Sequence, residues 1–515
     1  MFVTSDTNHI VVPWRQDLAA VIPHARTLDY NGERMLLVPN SHAEAKVARN
    51  LGVPVPAPIL TRYNWPGGKP WATQKTTSAL LTESERAYCL NEFGTGKTRA
   101  CIWAADYLRR ERAVKRVLIA APLSTLTPVW EAELFRLLPF AKVKVLHGDR
   151  RTRFERLAED AEYYVVNHHG LALMRDALVK RKFDVFILDE LAVFRNKTTD
   201  LWKAANAIIQ SGVKFAWGMT GSPTPKAATD AWAQIKLLTP GNTSTSMTRF
   251  RDMTMRQITG FKWMNRPQAM DIVYEQMQPS VRFALSDVTE LPPTVYQDHR
   301  IEIEAETRRA YKLLFDKMAM LTHQGETITA VNEGVLQNKL LQVSLGYVYT
   351  DKKGLLKLKN DKRLELLTEL VQNTSRKVIV FVPFVHALEG VAAALQKETS
   401  VAVIHGQTPV GYRNKTFRAF QEAAEPRVIV AQPACMSHGL TLTAANLIVW
   451  FGPVNNYETY EQANARIIRP GQTSRTIVAH LVGTPVERAA YKRLRDRATF
   501  QGLLLELFHQ QELEF

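Results

Sequence analysis

The sequence predicts an α/β protein in which a small α+β module precedes two parallel-sheet domains separated by a mainly helical segment. From Trp71, short apolar strands alternate with helical stretches, which is typical of a parallel sheet covered on both faces. The alternation stops after Pro223 and resumes at Lys377. No repeat of 20 to 50 residues recurs, which excludes a repeat array. We divide the chain into an accessory module (1–62), a first lobe (66–245), a linking helical segment (246–360) and a second lobe (361–515).

The composition is that of a globular protein, with 515 residues of which 46% are hydrophobic and 23% charged. Lys and Arg number 66 against 50 Asp and Glu, and the net charge of +16 favours a polyanionic partner such as nucleic acid. A basic surface kept for solubility is the alternative. The three cysteines have no metal-ligand spacing and suit a reducing compartment. No stretch approaches the roughly 18 apolar residues of a membrane span, so we expect a cytoplasmic protein without membrane contact.

The accessory module combines strand, helix and hairpin signals. His9–Val12 is strand-like, Gln16–Ile22 is helical, and Asn31-Gly32 is a strong hairpin signal. Ser41 is a candidate N-cap for a helix that ends at Gly52. Seven Pro and Gly residues between Pro54 and Pro70 then predict a linker and a domain boundary near residue 65.

A phosphate-binding loop is predicted at 91–98, between an expected strand at 86–90 and an expected helix at 99–108. The sequence matches that motif at Gly94, Gly96, Lys97 and Thr98, and it departs from it at Asn91, where Gly is usual. Backbone N–H groups at the start of a helix bind anions. Lys97 is therefore expected to bridge the outer phosphates, and the Thr98 hydroxyl to ligate magnesium. A chance Gly-rich turn is the alternative.

Two adjacent carboxylates follow the most apolar predicted strand, at 183–188. Asp189 and Glu190 stand at its C-terminal end, the edge of an open α/β sheet where ligands bind. We expect Asp189 to hold the metal and Glu190 to orient the attacking water. The alternative is a solvent-exposed turn.

Two further stretches carry basic residues. The segment 249–266 holds five basic residues and one acid with interleaved aromatics, which suits contact with a nucleic-acid backbone; the alternative is a solvated face. Its candidates are Arg249, Arg251, Lys262 and Trp263. In the second lobe, Arg466 and Arg469 share a face if their segment is helical, and they can act as arginine fingers. Ordinary surface ion pairs are the alternative.

Taken in order, these segments resemble the Swi/Snf-type ATPases of helicase superfamily two, from about Trp71 to about Glu487. The resemblance is carried by an ordered series of motifs: Gln74, the phosphate loop, Ala121-Pro-Leu-Ser-Thr-Leu with Trp130 and Glu133, Asp189-Glu-Leu-Ala, Thr220-Gly-Ser-Pro, Leu291-Pro-Pro-Thr294 with Tyr311, His405-Gly406 with Arg413 and Phe420, Gly439 to Ala445, and Gln462 to Gln472. Single motifs are unspecific, but the series is specific.

The resemblance implies two RecA-like lobes that close on ATP with Mg²⁺ and move along double-stranded or forked DNA. It implies roles for three sets of residues. ATP contacts are Gln74, Gly94, Thr95, Gly96, Lys97, Thr98 and Arg99; catalytic residues are Lys97, Asp189, Glu190, Gln462, Arg466 and Arg469, with Thr98 and Asp189 on the metal; DNA-backbone contacts are Ser124, Thr125, Thr220, Thr441 and Thr443.

Two departures from the family pattern bear on mechanism. Ala192 replaces the usual His, which removes a side chain expected to couple ATP to the Thr220 motif. The second lobe has Met436-Ser437-His438 where a Gly-rich run is usual. The pair His168-His169 has no metal-ligand companion, and we expect it to pack at a strand end. With no chromatin-reading module or large insertion, the chain resembles a compact phage or bacterial member.

The resulting hypothesis is a DNA-stimulated ATPase that translocates on duplex or branched DNA, remodelling forks, annealing strands, migrating branches or displacing proteins. The accessory module resembles the substrate-recognition domains of annealing helicases in size and element order. The alternatives are an RNA helicase, a non-hydrolysing DNA-binding scaffold, and the motor subunit of a larger complex. A monomer is consistent with the sequence, and protein partners are unknown.

Overall fold

Each half of the chain is built around a parallel β-sheet. The computed structural model describes residues 1–4, 6–111, 113–225, 227–243, 246–259, 262–323, 330–349, 355–436 and 441–495. The described chain divides into two compact units, Met1–Val288 and residues 289–495. Within the described ranges, no helix is long and apolar enough to cross a bilayer.

The accessory module is a four-stranded antiparallel sheet in the order β1-β2-β4-β3 with helices packed on one face. The predicted hairpin is confirmed, with Asn31 (φ 54°) and Gly32 (φ 81°) both left-handed as its turn requires. The elements are β1 (Phe2–Val3), β2 (His9–Pro13), α1 (Gln16–Val21), β3 (Arg26–Tyr30), β4 (Glu33–Pro39) and α2 (His42–Asn50). Ser41 occupies the N-cap of α2, but its hydroxyl bonds Glu44 rather than a backbone N–H.

A short helix, α3 (Pro58–Arg62), forms inside the proline-rich stretch that the sequence predicts as a linker. Pro58 is tolerated because the first helical position needs no N–H donor. Ile59 and Tyr63 are buried in the core of the neighbouring lobe, and the Tyr63 hydroxyl donates a 2.6 Å hydrogen bond to Asp106. The prolines therefore mark the end of the accessory module, and the helix that forms among them packs in the core of the first lobe.

The first RecA-like lobe has seven strands in the order β13-β5-β10-β9-β6-β8-β7, all parallel. Its apolar strands and the helices on both faces confirm the predicted architecture. The elements are α4 (Ala72–Glu83), β5 (Arg86–Cys89), α5 (Lys97–Arg110), β6 (Val117–Ala121), α6 (Ala132–Leu137), β7 (Val143–Leu146), α7 (Arg150–Ala158), β8 (Tyr163–Asn167), α8 (His168–Leu173), α9 (Arg175–Arg181), β9 (Val185–Asp189), α10 (Asp200–Gln210), β10 (Phe215–Met219) and α11 (Asp230–Leu238).

The last part of the first unit contains strands as well as helices. Its elements are α12 (Met247–Thr254), β11 (Met255–Thr259), β12 (Lys262–Asn265), α13 (Ala269–Gln276) and β13 (Ser280–Val281). The strands β11 and β12 form a hairpin. The two-residue strand β13 pairs with β5 at the edge of the main sheet, so the chain returns to the lobe before leaving the unit.

The second RecA-like lobe has six parallel strands in the order β14-β21-β20-β17-β19-β18. Its elements are β14 (Thr294–Arg300), α14 (Ala305–His323), α15 (Ala330–Ser344), β15 (Tyr347–Tyr349), β16 (Leu355–Lys357), α16 (Asp361–Gln372), β17 (Lys377–Phe381), α17 (Val385–Leu395), β18 (Val401–Ile404), α18 (Val410–Glu422), β19 (Val428–Ala431), β20 (Ala445–Trp450), α19 (Tyr457–Asn464) and β21 (Thr476–Val482). Two core clusters cover the two faces of this sheet.

Candidate nucleotide site and nucleic-acid contacts

Three neighbouring strands of the first lobe bring the predicted nucleotide residues to one edge. The phosphate loop follows β5, Thr220 follows β10 and the carboxylate pair ends β9, and β10 lies between the other two strands. Two strand spacings separate β5 from β9, which is about 10 Å. A phosphate chain is long enough to reach from the loop to the carboxylates.

The phosphate loop has the backbone that its sequence predicts. Gly94 (φ 84°) and Gly96 (φ 76°) are left-handed, and α5 begins at Lys97. The Lys97 ammonium donates 2.8 Å hydrogen bonds to the carbonyls of Asn91 and Glu92. Burial lowers the pKa of Lys97, and the nearby carboxylate of Glu190 acts against that shift. The ammonium is therefore desolvated, which strengthens its interaction with any phosphate that enters.

The other predicted ATP contacts lie on the same loop or beside it. Gln74 is buried; its Oε1 accepts from the Trp71 N–H at 2.9 Å, and its Nε2 donates to the Gly96 carbonyl at 3.3 Å. Thr95 donates to the Glu92 carbonyl, and Thr98 lies in the first turn of α5. Arg99 forms a 2.8 Å ion pair with Glu133 on α6. Arg99 thus links α5 to α6, and its role toward ATP stays a prediction.

Asp189 is held by three donors at the end of β9. Its Oδ2 accepts from the Trp130 Nε1–H at 2.8 Å, and its Oδ1 accepts from the Glu190 N–H at 3.1 Å. Its backbone carbonyl accepts from His168 Nε2 at 2.9 Å. Burial raises the pKa of the Asp189 carboxyl, and the Trp130 bond opposes that rise. The carboxylate is therefore half-buried and fixed in orientation.

Glu190 adopts a left-handed backbone, with φ 54° and ψ 57°. This conformation costs a residue with a side chain about 1–2 kcal/mol. Two hydrogen bonds on the peptide between Asp189 and Glu190 offset that cost: His168 donates to its carbonyl, and its N–H donates to Asp189 Oδ1. Strain held this way at a site edge fits a role for Glu190 in positioning water.

The donor set fits magnesium. Asp189 offers a carboxylate and Thr98 a hydroxyl, both hard oxygen ligands. Among the described residues, no group of three or more His, Cys, Asp or Glu could hold a metal. Mg²⁺ commonly takes one or two protein oxygens and completes its shell with phosphate and water.

His168 is placed differently from a simple packing residue. It packs edge-on against Phe194, as predicted for a strand end, but its Nε2 also bonds the Asp189 carbonyl. Burial lowers the pKa of His168 to about 4, so the ring is neutral and Nε2 carries the proton. Ala192 is buried in the turn after Glu190. Position 192 thus carries no imidazole, whereas that of His168 contacts the Asp189 backbone.

Predicted DNA contacts of the first unit fall into two groups. Ser124 is exposed after β6, and the Thr125 hydroxyl donates to the Pro122 carbonyl at 2.9 Å. Thr220 is buried after β10 and accepts from the Ser222 N–H. The second group lies on α12 and the β11–β12 hairpin instead of at a strand end.

In that second group, Arg249 is exposed and the Arg251 guanidinium lies 4.3 Å from the Trp263 ring centroid. One face of Trp263 is therefore covered by Arg251. The side chain of Lys262 lies outside the described residues. The DNA roles of both groups stay predictions.

In the second unit, the condition under which Arg466 and Arg469 would share a helix face is not met. The helix α19 ends at Asn464, and both arginines lie in the turns that follow. The Arg466 Nε–H donates to the Gln462 carbonyl at 2.7 Å, which turns this side chain back onto α19. Burial lowers the pKa of the Arg469 guanidinium. Their catalytic roles stay predictions.

The remaining candidates of the second unit lie near these arginines in the chain. Gln462 is buried and donates to Glu458 at 3.3 Å. Thr441 is exposed, and Thr443 accepts from Gln421 at 3.2 Å. Residues 437–440, with His438, lie outside the described residues.

Sequence reasoning missed Arg282, which reaches the phosphate loop from 190 residues away in sequence. It is 4% exposed and pairs with Glu92 at 3.2 Å. No local pattern marks it, because its partners are defined only when β13 joins the sheet.

Comparisons with known families give two consecutive matches. The SNF2-related domain matches residues 82–348, which is more than half of the chain, and the helicase conserved C-terminal domain matches residues 361–471. The first match contains the phosphate loop and Asp189, and the second contains Arg466 and Arg469.

Three relatives illustrate the range of similar proteins. Putative protein p41 of Acyrthosiphon pisum secondary endosymbiont phage 1 is 24% identical over 83% of this chain and 95% of its own. An uncharacterized ATP-dependent helicase of Mycoplasma pneumoniae is 23% identical over 76% of this chain and 37% of its own. The DNA annealing helicase and endonuclease ZRANB3 of Bos taurus is 23% identical over 80% of this chain and 38% of its own. The chain thus spans nearly all of the phage relative but well under half of the other two.

Proposed function

Because the chain belongs to the SNF2-related family of helicase superfamily two, whose members use ATP, we propose that it is a DNA-dependent ATPase that translocates on double-stranded or branched DNA. Fork remodelling, strand annealing, branch migration and protein displacement are the activities that such a motor performs. The proposed place of action is the cytoplasm of a bacterial cell.

One observation carries the proposal, namely that Lys97, Asp189 and Glu190 meet at a single sheet edge. The loop N–H groups and the start of α5 hold the phosphates, and the desolvated Lys97 ammonium neutralises their charge. Thr98 and Asp189 would hold magnesium, which would supply positive charge to neutralise the phosphates. Asp189 is the carboxylate that holds it, and Glu190 orients the attacking water and accepts its proton.

The net charge and the similarity to a DNA helicase favour DNA as the polymer along which the protein moves. The net charge of +16 suits a phosphate backbone, and one relative is named as a DNA annealing helicase. Since Lys97, Asp189, Glu190 and Arg469 are all in place, a non-hydrolysing scaffold is disfavoured. We assign substrate recognition to the accessory module, residues 1–62, because its size and element order resemble the substrate-recognition domains of annealing helicases; the ion pair between Arg49 and Glu83 joins it to the first lobe.

Steady-state ATP hydrolysis tests the proposal. Rates are measured with no nucleic acid, single-stranded DNA, linear duplex, forked duplex and single-stranded RNA. Lys97→Ala is the blank, and Lys75→Ala, at an exposed lysine of the same lobe, is the matched control. Stimulation by duplex or fork in the wild type and the control, absent in the blank, supports the proposal. Stimulation by RNA alone selects the RNA-helicase alternative, and no hydrolysis on any substrate refutes the motor.

A second experiment addresses the accessory module. Deleting residues 1–55 removes its core while keeping Ala57, Ile59 and Tyr63 in the first lobe. We expect basal hydrolysis to remain and any preference for forked over linear duplex to be lost. A truncated protein that keeps the full fork preference contradicts the assignment.

A further inference from the structure

Residues 90–92, where the phosphate loop begins, are hydrogen-bonded to the segment 281–285. Four bonds, each between 2.8 and 3.0 Å, join the two stretches: Leu90 N–H to the Val281 carbonyl, Glu92 N–H to the Phe283 carbonyl, Phe283 N–H to Asn91 Oδ1, and Leu285 N–H to Glu92 Oε2. Two of the acceptors are side chains of the loop itself. Asn91, the departure from the usual Gly, therefore has a structural role that Gly cannot fill.

Arg282 adds a charged connection to this pairing. Its Nη1 donates to the carbonyls of Leu90 and of Gly221, the latter at 3.3 Å, and its Nη2 donates to Glu92 Oε1 at 3.2 Å. Gly221 belongs to the loop after β10. A buried guanidinium is stable only with such partners. One side chain thus joins the phosphate loop, the Thr220 loop and the segment 281–285.

Glu92 faces the nucleotide side and the segment 281–285 at once. Its backbone carbonyl accepts from the Lys97 ammonium, while its carboxylate accepts from Arg282 and from the Leu285 N–H. An ammonium has three N–H donors, and phosphate oxygens compete for them with the carbonyls of Asn91 and Glu92. A change in the partners of Lys97 therefore acts directly on the residue that holds the segment.

We propose that the Glu92–Arg282 pair couples nucleotide binding at the phosphate loop to the segment 281–288, through which the chain leaves the first unit after Val288. Both are positioning residues, because they act through the loop and through Lys97. The inference rests on the proposed function only in requiring that ATP binds at this loop.

Hydrogen–deuterium exchange of the full-length protein tests the coupling, with and without a non-hydrolysable ATP analogue. In the wild type we expect the analogue to change amide exchange in a peptide covering 281–288, while a peptide covering β7 stays unchanged. In Glu92→Ala, which removes both side-chain bonds, we expect analogue binding within about threefold of wild type but no exchange response at 281–288. Glu92→Gln, which keeps an acceptor for Leu285, should retain part of the response.

Turnover gives an independent readout. We expect kcat with DNA to fall about fivefold to tenfold in Glu92→Ala, and less in Glu92→Gln, with KM for ATP little changed. Glu85→Gln, at an exposed carboxylate just before β5, is the matched control and should behave as wild type.

The outcomes separate the two proposals. A wild-type protein that binds no ATP analogue refutes the proposed function. A wild-type protein that binds the analogue with no exchange response at 281–288 overturns the coupling, and this measurement decides the question even if a variant fails to fold.

Discussion

The indole N–H of Trp130 donates a 2.8 Å hydrogen bond to Oδ2 of Asp189, a carboxylate 59 residues away at the end of β9. The Trp130 side chain is buried and Asp189 is half-buried, and an ionised carboxyl taken partly out of water needs donors. Trp130 supplies one without adding charge. The tryptophan of the motif after β6 is therefore part of the proposed nucleotide site.

Replacing Trp130 by Phe should slow hydrolysis while leaving the fold intact. The ring still fills the core, but Asp189 loses a donor to its charged form, a bond worth about 1.5–3 kcal/mol. We expect kcat to fall by about tenfold or more with little change in KM for ATP. Trp103→Phe is the matched control, since Trp103 donates to the Pro66 carbonyl instead. Equal losses in the two variants would contradict a specific role for Trp130.

His168 should act on turnover through the peptide between Asp189 and Glu190. His168→Ala removes the donor to the Asp189 carbonyl, and the left-handed Glu190 loses one of its supports. We expect kcat to drop about fivefold, with rescue by His168→Gln, which keeps an N–H donor. The exposed neighbour His169 gives the control, His169→Ala. An unchanged kcat in His168→Ala would leave only the packing role against Phe194.

Stability should fall in mild acid because of His42, whose ring contacts Tyr107 edge-on with centroids 5.5 Å apart. Burial and the nearby Arg49 and Arg62 lower the pKa of His42 to about 4, from 6.5 in the unfolded chain. The unfolded state therefore binds the proton first, so the stabilisation is complete above pH 6.5 and is lost as pH falls toward 4.

Urea unfolding of wild type and His42→Phe at pH 7.5 and pH 5 measures this effect. The wild type should lose on the order of 1 kcal/mol more than the variant between the two pH values, a figure reduced for partial solvent screening. The exposed His24→Phe should follow the wild type. Equal losses in wild type and His42→Phe would show that His42 does not carry the pH dependence.

A buried ion pair should dominate the stability of the second unit. Arg363 donates to both Glu487 oxygens at 2.8 and 2.9 Å, and Glu487 also accepts from the N–H groups of Gly483 and Thr484. Glu487→Ala leaves a buried guanidinium unpaired, so we expect a loss of about 3–5 kcal/mol. The exposed pair Glu302–Lys362 provides the control, because water screens its charges and Glu302→Ala should leave the unfolding midpoint close to that of the wild type. Thermal or urea unfolding distinguishes the two.

The two sheets could be predicted because most of their strands are short apolar runs followed by turn residues. The strands β5 and β9 lie within two residues of their predicted bounds, 86–90 and 183–188. The strands β13 and β14 were not predicted, because β13 has two residues and β14 is largely polar and exposed. Both become strands only through pairing with a neighbour that is distant in sequence.

The proposed nucleotide site could be predicted where its residues are contiguous in the sequence. The phosphate loop and the Asp189-Glu190 pair are contiguous motifs, and the structure brings them to one edge. The residues that hold them are tertiary partners: Trp130 and His168 reach Asp189 across neighbouring strands, and Arg282 reaches Glu92 through β13. The helical condition placed on Arg466 and Arg469 is not met, because α19 ends at Asn464, before both arginines.

The anchoring of Ala57, Ile59 and Tyr63 in the first lobe decides where this protein can be recombined with its relatives. A chimera joined at residue 62 would carry the donor's α3 onto a foreign surface and separate Tyr63 from the helix that precedes it. A junction near Pro56 transfers the whole accessory module. The recipient lobe then keeps its own α3 and the residue at position 63 in its core. The boundary at which the accessory module can be exchanged therefore lies before α3, one helix earlier than the proline-rich sequence suggests.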